Sequence, residues 1–207
     1  MFDLILLGDP AAGKATQAKL LCKKYGFYDL DMGKELRKLD KSTKNPKLKH
    51  AFSKTLNKGK LTPTKIVREI LKNKIYSVPA KRGILFDGTP KMIGEAKLVS
   101  KWLKDAKRAE KNILVLYLKI PQQEVLQRMS SRKEYFKGKF TKRVDDNATA
   151  LKNRVAYYKK NISEVLEFFG NKYVSKTISG IGTEKEVFNR IEKQIYEFNA
   201  KNQTRNR

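Results

Sequence analysis

The chain is poor in the residues that build several kinds of site. One cysteine, Cys22, and one histidine, His50, occur in 207 residues. A single thiol excludes an internal disulfide and a multi-cysteine zinc cage, and a single imidazole excludes a His dyad or a His-rich metal centre. Cys22 falls on the apolar face of a helical pattern and reads as a core residue; His50 sits in a lysine-rich segment and reads as surface. No apolar run reaches the roughly 20 residues needed to span a bilayer, and no basic-then-apolar leader pattern precedes the first strand-like run. The expectation is a soluble, cytoplasmic protein without a membrane partner. Acidic residues are scarce, 21 against 47 Lys+Arg, giving a formal charge of +26. Such a field attracts nucleotides, nucleic acid or acidic surfaces. The excess lysine is spread over every segment with no arginine–aromatic cluster, so a solvated surface is the expectation and nucleic acid is not.

What is present begins with Phe2 to Leu7, apolar except for Asp3 and of the length of a buried parallel strand. Ala12 to Tyr25 follows with Ala15, Ala18, Leu21, Cys22 and Tyr25 at helical spacing. Between them stands Gly8-Asp9-Pro10-Ala11-Ala12-Gly13-Lys14-Ala15-Thr16-Gln17. Small residues at a strand–helix turn let backbone N–H groups approach a polyphosphate. The helix N-terminus adds partial positive charge, Lys14 supplies an ammonium for the outer phosphates, and Thr16 offers a hydroxyl to a phosphate or a magnesium-bound water. The pattern Gly-x-Pro-x-x-Gly-Lys-x-Thr-Gln resembles the phosphate loop of the adenylate kinase family. That family usually has glycine where this chain has Ala11 and Ala15, so both positions must tolerate a Cβ if the loop keeps its shape. The resemblance implies ATP contacts from Asp9, Ala11, Ala12, Gly13, Lys14, Ala15 and Thr16.

Further segments carry the same resemblance. Tyr28-Asp29-Leu30-Asp31-Met32-Gly33-Lys34-Glu35-Leu36-Arg37 is similar to the family's His-Ile-Ser-Thr-Gly-Asp-x-Leu-Arg, matching at Gly33, Leu36 and Arg37. Arg37 then falls where the family holds the acceptor phosphate, a task for a planar fork of donors. Residues 33–58 read as lysine-rich helix broken at Asn45-Pro46, and Gly59-Lys60-Leu61-Thr62-Pro63 as a turn before a helix starting near Thr64. In the family a similar turn covers the acceptor base and ribose, which assigns Lys60, Leu61 and Thr62 to the AMP site. Arg82-Gly83-Ile84-Leu85-Phe86-Asp87-Gly88-Thr89-Pro90-Lys91 is a short apolar strand ending in a carboxylate and a Gly-Pro turn, like the family's Gly-x-x-Leu-Asp-Gly-Phe-Pro-Arg. Asp87 is placed to hold magnesium through its waters. Gly88, Thr89, Pro90 and Lys91 would face the acceptor, with Lys91 replacing the family arginine and losing its bidentate geometry. Met32 stands in place of a family threonine. Glu95 stands in place of the glutamine that reads the adenine edge.

Glu95 to Arg108 reads as helix, Asn112 to Leu118 as a third buried strand, and Gln122 to Ser131 as helix. The last places Arg128 and Arg132 four residues apart. Lys133 to Lys142, polar with Gly138, reads as a short lid without the cysteines of a zinc-bearing one. Arg143-Val144-Asp145-Asp146-Asn147 and Lys152-Asn153-Arg154-Val155-x-x-Tyr158 complete the match. In the family, residues like Arg128 and Arg132 meet the donor base and phosphates, and arginines like Arg143 and Arg154 surround the transferring phosphoryl group and touch AMP. Asp145 and Asp146 would form the lid hinge and cap the helix through Phe168. Lys172 to Ile178 reads as strand, Thr183 to Phe198 as an amphipathic helix, and Asn199 to Arg207 as a fraying tail.

The alternation implies an α/β protein, a P-loop NTPase-like parallel sheet flanked by helices, in one nucleoside monophosphate kinase domain. Its expected parts are a core (1–30, 63–131, 147–207), a helical monophosphate-binding insertion (31–62) and a lid (132–146). The resemblance implies a monomer that reversibly transfers the γ-phosphoryl group of Mg-ATP to AMP, giving two ADP. Its catalytic set is Lys14, Arg128, Arg132, Arg143 and Arg154; its metal-associated set is Asp87 and Thr16; no structural zinc is expected. Three other readings stay open at this point: a kinase with an altered acceptor such as GMP, a nucleotide-binding regulator with little turnover, and a nucleic-acid-binding protein that reuses the fold.

Overall fold

Strand β1 (Asp3–Gly8) is buried at every residue, as a strand covered on both faces must be. It is the middle of a five-stranded sheet of order β2-β3-β1-β4-β7, with β2 Tyr28–Asp31, β3 Ile84–Asp87, β4 Ile113–Lys119 and β7 Val174–Ser179. Every pairing in it is parallel. The computed structural model describes residues 1–55, 64–130, 134–136, 139–141 and 148–204. Alternate residues serve opposite faces. Ile5, Leu7, Phe86 and Val115 join one core with residues of α4 (Thr64–Ser77), α5 (Ile93–Asp105) and α7 (Ala148–Gly170). Leu4, Leu6, Leu85, Leu114 and Leu116 join the other with α1 (Lys14–Tyr25) and α8 (Glu184–Thr204). Helices therefore cover both faces of the sheet, and the expected fold class is the observed one.

The insertion contains α2 (Met32–Ser42) and α3 (Pro46–Lys54). Asp31 caps α2 by accepting from the Lys34 amide at 2.9 Å, and Asn45 caps α3 by accepting from the Lys47 amide, with Pro46 at the first position. After α6 (Gln122–Ser130) come β5 (Glu134–Phe136) and β6 (Lys139–Thr141), an antiparallel pair within the segment expected to be the lid.

Two elements differ from expectation. Tyr28–Asp31 is a strand; only Leu30 in it is fully buried, so it lacks the apolar run that marks β1 and β4. The final helix does not end at Phe198 but continues to Thr204. Phe198 is buried, and one turn further Asn202 Nδ2 donates to the Lys111 carbonyl at 2.9 Å, which fixes the extra turns against the body.

The N-terminal ends of the strands are held by a buried ion pair. Arg108 Nη1 donates to Asp3 Oδ1 at 2.6 Å and to the Arg82 carbonyl; Nη2 donates to the carbonyls of Val78 and Pro79. Asp3 Oδ1 also accepts from the Ile84 amide at 2.7 Å. Burial pushes the Asp3 carboxyl up, opposed by the Ile84 amide and the Arg108 charge. One guanidinium thereby ties the start of β1 to the loops that precede β3 and β4.

Candidate active site

The site lies at the opposite, C-terminal ends of the strands, where β1 runs into the loop from Gly8 to Gly13. Gly8 sits so close to β4 that a Cβ there would lie 2.7 Å from the Leu118 carbonyl oxygen. Its N–H donates to the buried Tyr158 hydroxyl at 3.0 Å. Gly13 takes a left-handed conformation (φ 86°) as the residue before α1. Ala11 is left-handed as well (φ 60°), whereas Ala15 lies inside α1. The strain expected of both alanines thus falls on Ala11 alone, since in a helix a Cβ is favourable.

Lys14, at the start of α1, turns its ammonium back into the loop, donating to the Gly8 carbonyl at 2.6 Å and the Asp9 carbonyl at 2.7 Å. The Tyr158 ring centroid is 5.9 Å away. Thr16 follows on the same helix, half-buried. Gln17 is fully buried and donates to the Glu184 carbonyl, joining the loop helix to α8. Asp9 keeps its carboxylate on β4, accepting from Tyr117 Oη at 2.6 Å and the Ile120 amide at 2.9 Å.

The end of β3 meets this loop. The Gly88 amide donates to the Leu6 carbonyl, and a Cβ on Gly88 (φ 64°) would lie 3.3 Å from Lys14 Cε. Glycine at this position therefore lets the Asp87 turn and the loop lysine share one corner. Asp87 pairs in register with Leu6 on one side and Asp31 on the other. Burial and then the Asp31 charge push the Asp87 carboxyl up to about 7, with Lys14 pulling the other way. Asp29, two residues before Asp31, is also raised, first by burial and then by Asp31, and its Oδ1 is buried without a hydrogen-bond partner. Asp31 and Asp87 thus face each other on adjacent strand ends, with Lys14 beside Asp87 and Asp29 two residues before Asp31. Such a corner has the donor chemistry of a hard cation. Among the described residues no three Asp, Glu, His or Cys side chains converge as a direct metal cage.

Arg128, on α6, donates from Nε to Glu124 at 2.5 Å and from Nη1 to the Gly180 carbonyl at 3.1 Å. Gly180 passes within van der Waals reach of the phosphate loop, since a Cβ on it would lie 3.3 Å from the Ala12 carbonyl oxygen. The sequence pattern had not marked Gly180, although Ser179-Gly180-Ile181-Gly182 after β7 is a turn signal at the right strand end.

On the acceptor side the placements vary. The Arg37 guanidinium folds beside Gly33, where a Cβ would lie 3.0 Å from Nη1 and 3.2 Å from Asp31 Oδ1. Met32 is buried and belongs to the core with Leu36 and Phe52. Thr89 and Pro90 are buried and Lys91 is exposed. Glu95 is buried and its Oε2 accepts from the Lys91 amide at 3.1 Å. Burial raises its carboxyl, against the Lys91 hydrogen bond and charge and the Arg68 charge. It stands three residues past Met92, the residue before α5, and reaches back as a helix-start carboxylate does. Lys60, Leu61, Thr62, Arg132 and Arg143, with Asp145 and Asp146, lie outside the described residues, as does the Arg154 side chain.

A parallel sheet whose central strand leads through a lysine-bearing loop into a helix, with a carboxylate on the neighbouring strand, defines a phosphate-loop nucleotide-binding protein. The model of the adenylate kinase family matches residues 6–174, and the chain belongs to that family. It is similar to the adenylate kinase of Parabacteroides distasonis, 29% identical over 196 residues, covering 94% of this chain and 98% of the relative. The adenylate kinases of Clostridium tetani and Porphyromonas gingivalis are each 30% identical, covering 91% and 92% of this chain and 96% and 94% of theirs. Its activity is adenylate kinase-like phosphotransfer, and the family acts on nucleoside monophosphates. Among the described residues no helix is long and apolar enough to cross a membrane.

Proposed function

We propose that this chain is a monomeric, cytoplasmic enzyme that reversibly transfers the γ-phosphoryl group of Mg-ATP to AMP. The observation that carries the reading is the shared corner of Lys14 and the Asp87–Gly88 turn at the ends of β1 and β3. The loop amides from Ala11 to Thr16 and the start of α1 bind the donor phosphates. Lys14 exchanges its carbonyl partners for phosphate oxygens. Asp87 and Thr16 would hold magnesium through water, and the ion supplies charge neutralisation of the phosphates. Arg128 and Arg132 meet the donor, Arg143 and Arg154 surround the group in flight, and Arg37 with Lys91 grips the acceptor phosphate. No general base is needed, because positioning and charge neutralisation carry this chemistry. Residues 31–62 act as the acceptor-binding insertion and 132–146 as the lid over a core of 1–30, 63–131 and 147–207, closing to exclude water from the reacting phosphate.

Glu95 is our reader of the acceptor base, together with Gly88, Thr89, Pro90 and the covering turn of Lys60, Leu61 and Thr62. Burial raises its carboxyl, and when protonated it offers one donor and one acceptor as a glutamine would. The test is a steady-state screen of AMP and GMP as acceptors with the parent and Glu95→Gln, across pH. The reading expects AMP to be used, its kcat/KM relative to GMP to fall as pH rises, and Glu95→Gln to remove that fall. An AMP-to-GMP ratio flat with pH and unchanged by Glu95→Gln would assign Glu95 to the helix start alone.

A further inference from the structure

A carboxylate in a phosphate-binding loop has the wrong charge for its ligand, and Asp9 is the second residue of this one. Its backbone lies in the thick of the site: the N–H donates to the Leu118 carbonyl at 2.9 Å, and its own carbonyl receives the Lys14 ammonium at 2.7 Å. The side chain is directed elsewhere. Oδ1 accepts from the Tyr117 hydroxyl at 2.6 Å and Oδ2 from the Ile120 amide at 2.9 Å, so both oxygens are engaged at the end of β4. Tyr117 is itself buried, and its phenol is pushed up, first by burial and then by Asp9, which keeps it a donor.

We infer that Asp9 is a positioning residue of the phosphate loop, held by Tyr117 and the Ile120 amide so that it fixes the loop on β4 while its charge faces away from the phosphates. The inference rests on the reading that this loop binds the phosphates of ATP. Tyr117 acts as the restraint: removing its hydroxyl leaves the carboxylate on one partner and free to turn toward the ligand. Such a charge opposes ground state and transition state alike, so it raises KM for ATP and spares kcat. Being a charge effect, it weakens in salt.

The test is a double-substitution cycle with Tyr117→Phe and Asp9→Asn, measuring KM for ATP and kcat at low and high salt, with melting curves to establish folding. Tyr117→Phe should raise KM for ATP about fivefold to tenfold at low salt with kcat within about twofold. The increase should shrink in 0.5 M KCl on the order of the screening expected there, and should vanish in the Asp9→Asn background. An unchanged KM in Tyr117→Phe, or the same increase with and without the Asp9 charge, would overturn the inference. Asp9→Glu provides a second arm, because its longer side chain keeps the charge but does not fit between the two donors. It should raise KM for ATP more than Asp9→Asn does, with the gap closing in salt; equal values would also overturn it. A parent protein that forms no ADP from Mg-ATP and AMP would defeat the functional reading itself, whereas an active parent with an additive cycle defeats this inference alone.

Discussion

The two ends of the parallel sheet handle buried charge in opposite ways. At the N-terminal ends, Asp3 and Arg108 are matched, and five hydrogen bonds among them and neighbouring backbone draw three chain segments together. At the C-terminal ends, Asp29, Asp31 and Asp87 stand on neighbouring strands, and the carboxyls of Asp29 and Asp87 are raised by Asp31 as well as by burial, whereas the raised Asp3 is opposed by the Arg108 charge. Each end also holds one left-handed non-glycine residue, Lys107 beside Arg108 and Ala11 in the loop. One end of the sheet pairs its buried charges, while the other keeps like charges together that a bound cation would relieve. Substitutions at the two ends should therefore separate stability from turnover.

The largest separation is expected at Lys14. Lys14→Met should reduce phosphoryl transfer about a thousandfold, since one charge contact to a developing transition state is worth several kcal/mol. Its melting temperature should stay close to that of the parent, and a parallel loss of both in activity and thermal-melt measurements would break the comparison. Arg108→Met should do the reverse, costing about 3–5 kcal/mol by leaving Asp3 without its partner. Roughly six strand residues, or about 20 Å, separate it from the loop, so kcat at low temperature should be little changed. Denaturant unfolding and initial rates on the same sample decide it.

Asp87→Asn should move the two properties in opposite directions. The folded protein holds the Asp87 proton up to about pH 7, above the ordinary carboxylate value of 3.8, so ionising it costs stability as pH rises through that window. The variant should melt higher than the parent at pH 7.5, with the gap closing toward pH 4, while its activity with Mg-ATP falls. A gap that is constant with pH would remove the assigned charge repulsion. The smallest effects are expected at the loop alanines. Ala11→Gly should stabilise by about 0.5–1 kcal/mol by relieving the left-handed backbone, and Ala15→Gly should destabilise by a similar amount within the helix. Equal signs in thermal melts would contradict the two conformations.

Much of this was legible in the sequence, because β1, β3 and β4 are strongly apolar and their ends carry short motifs of fixed spacing. The Gly8–Gln17 loop and the Asp87–Gly88 turn were found because glycine and charge at a strand end have few structural uses. The strand Tyr28–Asp31 was not, since two of its four residues are carboxylates that serve the site and the α2 cap rather than a core. Residues whose role depends on long-range partners were equally hidden. The sequence marks Asp9 as part of the loop but does not show that its carboxylate is held by Tyr117, more than a hundred residues later. Glu95 looked like a base reader alone, but it also holds the turn before α5. Arg108 read only as the end of a helical run, because nothing in its neighbours points to Asp3.

The most direct test of the account follows ATP, AMP and ADP together by phosphorus NMR with the purified parent and Lys14→Met in the presence of magnesium. The parent should consume ATP and AMP one for one and form two ADP until equilibrium is reached from either side, with Lys14→Met slower by about three orders of magnitude. A folded parent that forms no more ADP than Lys14→Met would contradict it.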